Sequence, residues 1–233
     1  MEAIVLAGGL GTRLRSIISD VPKPMAPIDN DNTPFLEVIM KNLKLNGVTH
    51  VVLSIGYKGN IIKEYFGDSY NGMHVDYSFE HEPLLTGGAI KKAKTLCNEK
   101  DFFIINGDTF LDIDYKNMYE YHKKNDSKLT MAIKKTNDVS RYGTVDICNG
   151  NVKSFQEKGV VMEGMINAGV YCMNDVLSFS DFGNKFSFEK DFLQKTVMKI
   201  FTYEVKGKFL DIGVPTDYMS FKQMYADNEI IFK

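Results

Sequence analysis

The sequence predicts an α/β fold in which helices flank a mainly parallel β-sheet. From the start to about residue 125, short apolar runs alternate with helical patterns, which is typical of consecutive βα units. From about residue 126 the pattern changes to strand-rich segments separated by turns such as Asn149-Gly150. The 233 residues contain no low-complexity stretch and no hinge rich in Pro, Gly or Ser. We therefore expect a single domain over residues 1–233, with two parts that meet near residue 125.

The first part is predicted to contain four strands and four helices. The strands cover residues 3–6, 48–55, 75–80 and 102–105, and the helices cover residues 35–45, 59–65, 88–97 and 115–124. Apolar positions in FLEVIMKNL, residues 35–43, recur at helical spacing, so this helix should pack one face on the sheet. Asp114 stands directly before the fourth helix and is the expected N-cap residue.

The second part is predicted to contain four strands and a closing helix. The strands cover residues 129–134, 143–147, 152–156 and 166–172, and the helix covers residues 216–228. Right-handed βα crossovers place the carboxyl ends of parallel strands on one edge of the sheet. Motifs that follow the first-part strands should therefore meet at that edge, where such sheets bind ligands.

Charge and composition exclude several classes of partner. Lys and Arg number 28 against 30 Asp and Glu, a formal net charge of −2 that provides no basic field for nucleic acid. No segment reaches the roughly 18 apolar residues of a membrane span, so no membrane partner is expected. Cys97, Cys148 and Cys172 lie far apart without metal-ligand spacing. This pattern is typical of reduced, buried thiols in a cytoplasmic protein.

A glycine-rich loop after the first predicted strand carries the strongest functional signal. The run AGGLGTRL, residues 7–14, places three glycines where the backbone can approach a polyanion and direct N–H groups at it. Arg13 lies in this run, and Lys23 follows between Pro22 and Pro24, so two cations can neutralise phosphate charge. The combination predicts a nucleoside triphosphate site, whereas the glycines alone would also fit a plain structural turn.

Two commoner phosphate-binding loops do not fit this run. The dinucleotide-binding fingerprint needs a third glycine where Leu14 stands and an acidic residue at the end of the second strand, where the chain has SIGY, residues 54–57. The Walker A loop needs a Gly-Lys-Ser/Thr triplet, which occurs nowhere in the sequence. The loop therefore belongs to neither class.

A carboxylate follows the fourth predicted strand. Asn106-Gly107-Asp108 comes directly after residues 102–105, which places Asp108 at the same sheet edge as the glycine loop. Mg²⁺ prefers hard oxygen ligands and usually takes one or two protein carboxylates together with phosphate oxygens and water. Asp108 is therefore the first candidate Mg²⁺ ligand; an aspartate that only caps a turn is the alternative.

In these motifs the chain resembles the sugar-1-phosphate nucleotidyltransferases, whose signature is Gly-Gly-x-Gly-Thr-Arg-Leu followed by Pro-Lys-Pro. Similar elements recur in the family's order over nearly the whole chain. The resemblance implies a Rossmann-like, GT-A-like fold with a slot for the base between the first loop and LLTGGA, residues 84–89. Leu85 departs from the family pattern, which usually has glycine there. The implied nucleotide contacts are Leu6, Ala7, Gly8, Gly9, Gly11, Thr12, Glu80, Thr86, Gly87 and Gly88.

The resemblance also implies a second metal ligand and an acceptor side. Asp211 lies in DIGVP, residues 211–215, which resembles the family's Asp-x-Gly-x-Pro element and would complete the Mg²⁺ site with Asp108. A weaker resemblance on the sugar side covers Glu189 and Asp191, which would also fit the start of a helix. The implied contacts to the sugar phosphate are Tyr142, Gly143, Glu157, Lys158, Asn167 and Gly169.

The activity that the resemblance implies is transfer of a nucleotidyl group to a sugar 1-phosphate, with Mg²⁺ as cofactor and release of pyrophosphate. Arg13 would hold the departing pyrophosphate, and Lys23 would align the two reacting phosphates. The run PKPMAPI, residues 22–28, is most similar to the branch that uses GTP and D-glycero-α-D-manno-heptose 1-phosphate. That branch implies GDP-heptose for surface (capsular) polysaccharide, and the family implies a homodimer.

Two alternatives share much of this framework. One is a uridylyl- or thymidylyltransferase that acts on a hexose or N-acetylmuramate 1-phosphate. The other belongs to a different class, a non-catalytic sensor of nucleotide sugars on the same fold.

Overall fold

Alternating strands and helices make up the first part of the chain. The computed structural model describes residues 1–9, 11–14, 17–156 and 163–230. The elements of the first part are β1 (Glu2–Leu6), α1 (Phe35–Leu45), β2 (His50–Ile55), α2 (Gly59–Phe66), β3 (Ser69–Tyr70), β4 (Met73–Phe79), α3 (Leu85–Ala93), β5 (Asp101–Asn106), β6 (Thr109–Leu111) and α4 (Tyr115–Lys124).

The second part is rich in strands, as its sequence predicts. Its elements are β7 (Leu129–Thr136), β8 (Thr144–Cys148), β9 (Asn151–Gln156), β10 (Gly164–Asn174), β11 (Phe201–Glu204), β12 (Phe209–Asp211) and α5 (Pro215–Ala226). A short π-helical segment, Phe188–Leu193, lies between β10 and β11.

Strands of both parts share one sheet. Within the described residues its order is β3-β4-β2-β1-β5-β10-β7-β11-β9-β8. The strands β4, β2, β1 and β5 are parallel neighbours, as expected for βα units. The strand β10 then pairs antiparallel with β5. A separate antiparallel pair, β6 with β12, sets Asp211 opposite Thr109 and so brings the end of the chain back to β5.

Both faces of the sheet are buried. Successive side chains of β1 alternate between two apolar clusters, with Val5 in one and Ile4 in the other. The apolar face of α1 packs into the first cluster, where Phe35 is fully buried. The second cluster includes Phe188, which stacks on Phe192 at a centroid distance of 5.3 Å. Each such ring contributes about 1.5–3 kcal/mol through burial, so the faces hold the strand ends in fixed positions.

Strongly periodic segments were predicted most accurately. The helices at residues 35–45 and 115–124 are confirmed, and Asp114 Oδ1 caps the latter by accepting from Asn117 N at 2.9 Å. The third helix differs from its prediction because it begins at Leu85 and ends at Ala93, before a 3₁₀ turn over Lys94–Leu96. The remaining predicted elements begin or end at slightly different residues in the structure. The strands β3, β6, β11 and β12 were not predicted, because strands of two to four residues are too short to show a periodic pattern.

The prediction that all three thiols are buried is wrong. Cys172 is buried on the central strand β10, but Cys97 is half-buried and Cys148 is exposed. Cys148 is the last residue of β8, where the strand pairs with Asn151 of β9 beside the exposed Asn149-Gly150 turn. None of the helices within the described ranges combines the length and apolarity that crossing a membrane requires.

Candidate functional site

A cleft of about 750 Å³ opens at the carboxyl ends of the parallel strands, a size typical of small-molecule sites. It lies where the sequence predicts convergence of the glycine loop and the fourth strand. The predicted site residues that line it are Leu6, Gly8, Gly9, Gly11, Arg13, Lys23, Glu80, Thr86 and Asp108.

The glycine loop is anchored at its start to the two neighbouring strands. Ala7 N donates to Ser54 O at 2.8 Å, and Gly107 N donates to Leu6 O at 2.9 Å. A Cβ on Gly107 would lie 2.7 Å from Leu6 O, so only glycine lets the chain pass this closely. These contacts fix where the loop leaves the sheet.

Beyond this anchor the loop offers free donors to the cleft. The amides of Gly8, Gly9 and Gly11 donate to no carbonyl or side chain in the described part of the chain. A 3₁₀ turn over Thr12–Leu14 follows, and its Arg13 is exposed at the cleft. Open amides beside a cation form a site suited to a polyanion.

Lys23 lies between the two predicted metal ligands. Its Nζ is 2.6 Å from Asp108 Oδ2 and 3.7 Å from Asp211 Oδ1, and its side chain is only 8% exposed. Pro22 and Pro24 restrict φ on both sides and hold Lys23 at the start of a short 3₁₀ turn. The structure thus brings together three residues that are far apart in sequence.

The two carboxylates together require a cation. Burial raises the pKa of Asp211 above its ordinary value, and the Asp108 carboxylate raises that pKa further, while the Lys23 ammonium opposes the rise. Asp211 Oδ1 also accepts from Gly213 N at 2.7 Å, which orients the carboxylate. Two carboxylates beside the same lysine at the cleft form a hard-oxygen donor set, so these residues fit Mg²⁺.

Glu80 is held beside the glycine loop, where a Cβ on Gly8 would lie 2.5 Å from Glu80 Oε1. Its Oε2 accepts from Leu84 N at 3.0 Å, and its Oε1 accepts from Ser54 Oγ at 3.3 Å. Leu85, next in the chain, has a φ of +60°, in the left-handed region that favours glycine. Leu85 therefore has the backbone conformation that a glycine would adopt at this position. Its half-exposed side chain is what distinguishes this cleft from one with glycine there.

Gly87 and Gly88, which were predicted to contact the nucleotide, have amides that donate within the chain. Both N–H groups donate to Phe186 O, at 2.9 and 3.2 Å. A Cβ at Gly87 would collide with the Phe186 ring, and one at Gly88 would collide with the Asn184 carbonyl. Glycine at both positions lets α3 lie directly against residues 184–186, and a contact of these two residues with the nucleotide stays a prediction.

The segment after this contact supplies a carboxylate that the sequence indicated only weakly. The hydroxyls of Thr86 and Ser187 both donate to Glu189 Oε2, at 2.5 and 3.1 Å, and all three residues line the cleft. Asp191 instead accepts from Ser187 N at 2.8 Å and pairs with Lys195 at 3.1 Å. The two acidic residues thus separate, one at the cleft and one in the turn of the π-helical segment.

Four predicted sugar-phosphate residues come together where β8 approaches β10. Asn167 N donates to Gly143 O at 2.9 Å, and Asn167 Oδ1 accepts from Gly169 N at 3.0 Å. Tyr142 stands directly before Gly143. Gly169 has a φ of +70°, and a Cβ there would lie 2.6 Å from Nδ2 of Asn106, which lines the cleft. Gly169 therefore lies directly beside a residue of the cleft wall.

Two further polar residues, Asn106 and Arg141, belong to motifs that the sequence already indicates as functional. Asn106 lines the cleft, and Arg141 Nη1 lies 2.7 Å from Asp217 Oδ2 while its Nη2 is buried with no partner in the described ranges. The side chain of Thr12 and the residues Glu157 and Lys158 lie outside the described residues.

The sequence matches the family described as nucleotidyl transferase over residues 2–228. It is 48% identical over 221 residues to D-glycero-α-D-manno-heptose 1-phosphate guanylyltransferase of Aneurinibacillus thermoaerophilus, spanning 94% of this chain and 95% of that protein. It is also 48% identical over 227 residues to the protein of that name from Campylobacter jejuni subsp. jejuni, spanning 95% and 98%. The crystal structure of HddC from Yersinia pseudotuberculosis complexed with GMP-PN has a TM-score of 0.85 at 40% identity, covering 96% of this chain and 99% of that one. The chain, with its α/β fold, therefore belongs to the nucleotidyl transferase family.

Proposed function

We propose that the chain transfers GMP from GTP to D-glycero-α-D-manno-heptose 1-phosphate, which yields GDP-heptose and pyrophosphate. Two relatives that carry the name of this activity are 48% identical over nearly their full length, which supports the substrate pair. The observation that carries the proposal is the meeting of Arg13 and Lys23 with Asp108 and Asp211 beside open glycine amides.

The reaction needs charge neutralisation rather than a general base. A sugar phosphate oxygen attacks the α-phosphorus of the triphosphate, and the bond to the β-phosphate oxygen breaks. The attacking phosphate is already ionised at neutral pH, so the barrier comes from bringing two anions together in line. Lys23 would align the reacting phosphates, while Arg13 and the loop amides would hold the departing pyrophosphate. Mg²⁺ held by Asp108 and Asp211 would supply further positive charge at the phosphate oxygens.

Glu80 supports guanine as the base. Guanine presents two adjacent N–H donors on its pairing edge, N1–H and N2–H, which suit the two oxygens of a carboxylate. Uracil and thymine present one N–H between two carbonyl oxygens, which a carboxylate repels. Glu80 is already fixed by Leu84 N and Ser54 Oγ, so its remaining lone pairs have a defined direction in the cleft.

Replacing Glu80 by Gln is expected to lower kcat/KM for GTP roughly 10- to 100-fold, because one charge-assisted acceptor is lost at a half-buried position. The ratio of turnover with GTP to turnover with UTP should fall by more than the loss with GTP alone, since the glutamine amide can donate to a uracil carbonyl. Pyrophosphate release with each nucleoside triphosphate, at a fixed heptose 1-phosphate concentration, measures both effects.

Glu82→Gln is the matched control, because Glu82 is an exposed carboxylate two residues away that does not line the cleft. Its kinetics should equal those of the wild type. An unchanged ratio of GTP to UTP turnover in Glu80→Gln would exclude Glu80 as the group that selects guanine.

Several further features are part of the proposal. The oxygen donor set of Asp108 and Asp211 supports Mg²⁺ as cofactor. The product class supports a cytoplasmic place in surface (capsular) polysaccharide synthesis. A homodimer and the lack of a nucleic-acid partner stay predictions, the latter from the net charge of −2.

A further inference from the structure

A second cluster of ligand-type side chains lies at the edge of the sheet opposite the cleft. The register sets Glu2 of β1 beside His50 of β2, and His50 beside His74 of β4. Asp76 stands two residues further along β4, on the same face as His74. These residues lie at the starts of parallel strands whose other ends form the cleft, about 15–20 Å away at roughly 3.3 Å per residue.

His50 is buried with both ring nitrogens directed at carboxylates. Its Nδ1 is 2.9 Å from Glu2 Oε1, and its Nε2 is 3.1 Å from Asp76 Oδ2. A neutral imidazole has one N–H, so one of these contacts sets a lone pair against an anion. A cation between Nε2 and the Asp76 carboxylate would relieve this repulsion.

The position of Glu2 indicates that a cation would bind at Nε2 of His50. Its Oε2 accepts from Asn98 N at 2.7 Å and from Glu99 N at 2.9 Å, so this carboxylate is fixed in place. A fixed carboxylate on Nδ1 keeps the proton there and directs the Nε2 lone pair of His50 outwards. Carboxylate–histidine pairs of this kind orient histidine ligands in metal sites.

A second histidine completes a ligand set with suitable spacing. His74 Nε2 lies 3.4 Å from the same Asp76 Oδ2 that faces His50, and the ligand atoms of all three residues lie within 4.8 Å of one another. A tetrahedral Zn²⁺ with bonds of 2.0–2.1 Å separates its ligands by about 3.3 Å. The observed separations of 3.1 and 3.4 Å match this spacing.

We propose that His50, His74 and Asp76 bind a divalent transition metal of the Zn²⁺ class, with Glu2 as the positioning residue behind His50. Two imidazoles and one carboxylate suit Zn²⁺ rather than Mg²⁺, which prefers oxygen ligands. His74 is 60% exposed, so an ion can enter from solvent and keep water in a fourth position. The ion would join β2 to β4 at the edge away from the cleft, and this proposal does not depend on the proposed function.

The test is titration of metal-free protein with Zn²⁺ by calorimetry, and with Co²⁺ by visible absorption, in saturating Mg²⁺. We expect one ion per chain, an absorption spectrum of tetrahedral Co²⁺, and a melting temperature that rises with Zn²⁺ because the ion binds the folded state. His74→Gln, a change at an exposed side chain, should weaken binding at least about tenfold. His81→Gln, which removes the other exposed histidine, should not change it.

Three results would overturn the proposal. Absence of binding at one ion per chain would leave His50 as a hydrogen-bonding link between the carboxylates of Glu2 and Asp76. Equal affinity in wild type and His74→Gln would remove the second histidine from the site. Zn²⁺ binding that survives His74→Gln but is lost in Asp108→Asn would locate the ion in the cleft instead.

Discussion

Asp108→Asn is expected to remove magnesium-dependent turnover while the protein stays folded. The amide has the size of the carboxylate but lacks the charge that pairs with Lys23 at 2.6 Å and that would hold Mg²⁺ together with Asp211 in the proposed reaction. Losing one such electrostatic group costs about 3 kcal/mol of barrier, roughly a hundredfold in kcat. The side chain is 39% exposed, so neutralising it should leave the melting temperature close to that of the wild type. The measurement is kcat for pyrophosphate release as a function of Mg²⁺ concentration.

Asp31→Asn provides the control for this variant. Asp31 is an exposed aspartate in the turn before α1, and the same change there should alter neither kcat nor Mg²⁺ dependence. Near-normal turnover of well-folded Asp108→Asn would contradict its role as a metal ligand.

Lys23→Met should have a comparable or larger effect, about 10²- to 10³-fold in kcat. It also has a signature in pH. Burial and Asp108 raise the pKa of Asp211, and the Lys23 ammonium opposes them. Without the ammonium that pKa rises further, so Asp211 takes up its proton at a higher pH and Mg²⁺ binding fails earlier on acidification. Calorimetric titration of Mg²⁺ from neutral to acidic pH measures this shift.

The matched control is Lys208→Met, which removes a surface lysine paired with Glu229 at 2.7 Å. Such exposed pairs contribute little, so its kcat and its pH profile should be those of the wild type. If Lys23→Met also kept the wild-type pH profile, the ammonium could not be the group that keeps Asp211 ionised.

The sequence predicted the site best where local pattern sets position. The period of the βα units determines where β1 and β5 end, so the convergence of the glycine loop with Asp108 followed from strand ends alone. Asp211 is different, because β12 has three residues and its pairing with β6 leaves no periodic trace. Its place came from resemblance to a family motif.

Other features depend on contacts between distant segments. The amides of two adjacent glycines can donate to a ligand or to another part of the chain. Only the fold shows that the amides of Gly87 and Gly88 donate to the carbonyl of Phe186. The cluster of His50 and His74 likewise requires the exact pairing of two strands, which spacing in the sequence does not reveal.

The measurement that tests the central claim most directly is pyrophosphate release, with product identification by mass spectrometry, for a matrix of substrates. GTP, UTP, dTTP and CTP would each be offered with the 1-phosphates of D-glycero-α-D-manno-heptose, mannose, glucose, N-acetylglucosamine and N-acetylmuramate. We expect strong turnover only with GTP and the heptose, with one GDP-heptose formed per pyrophosphate. Turnover with a different pair would contradict the proposed substrates. Absence of pyrophosphate release with every pair would contradict catalysis and favour a nucleotide-sugar sensor.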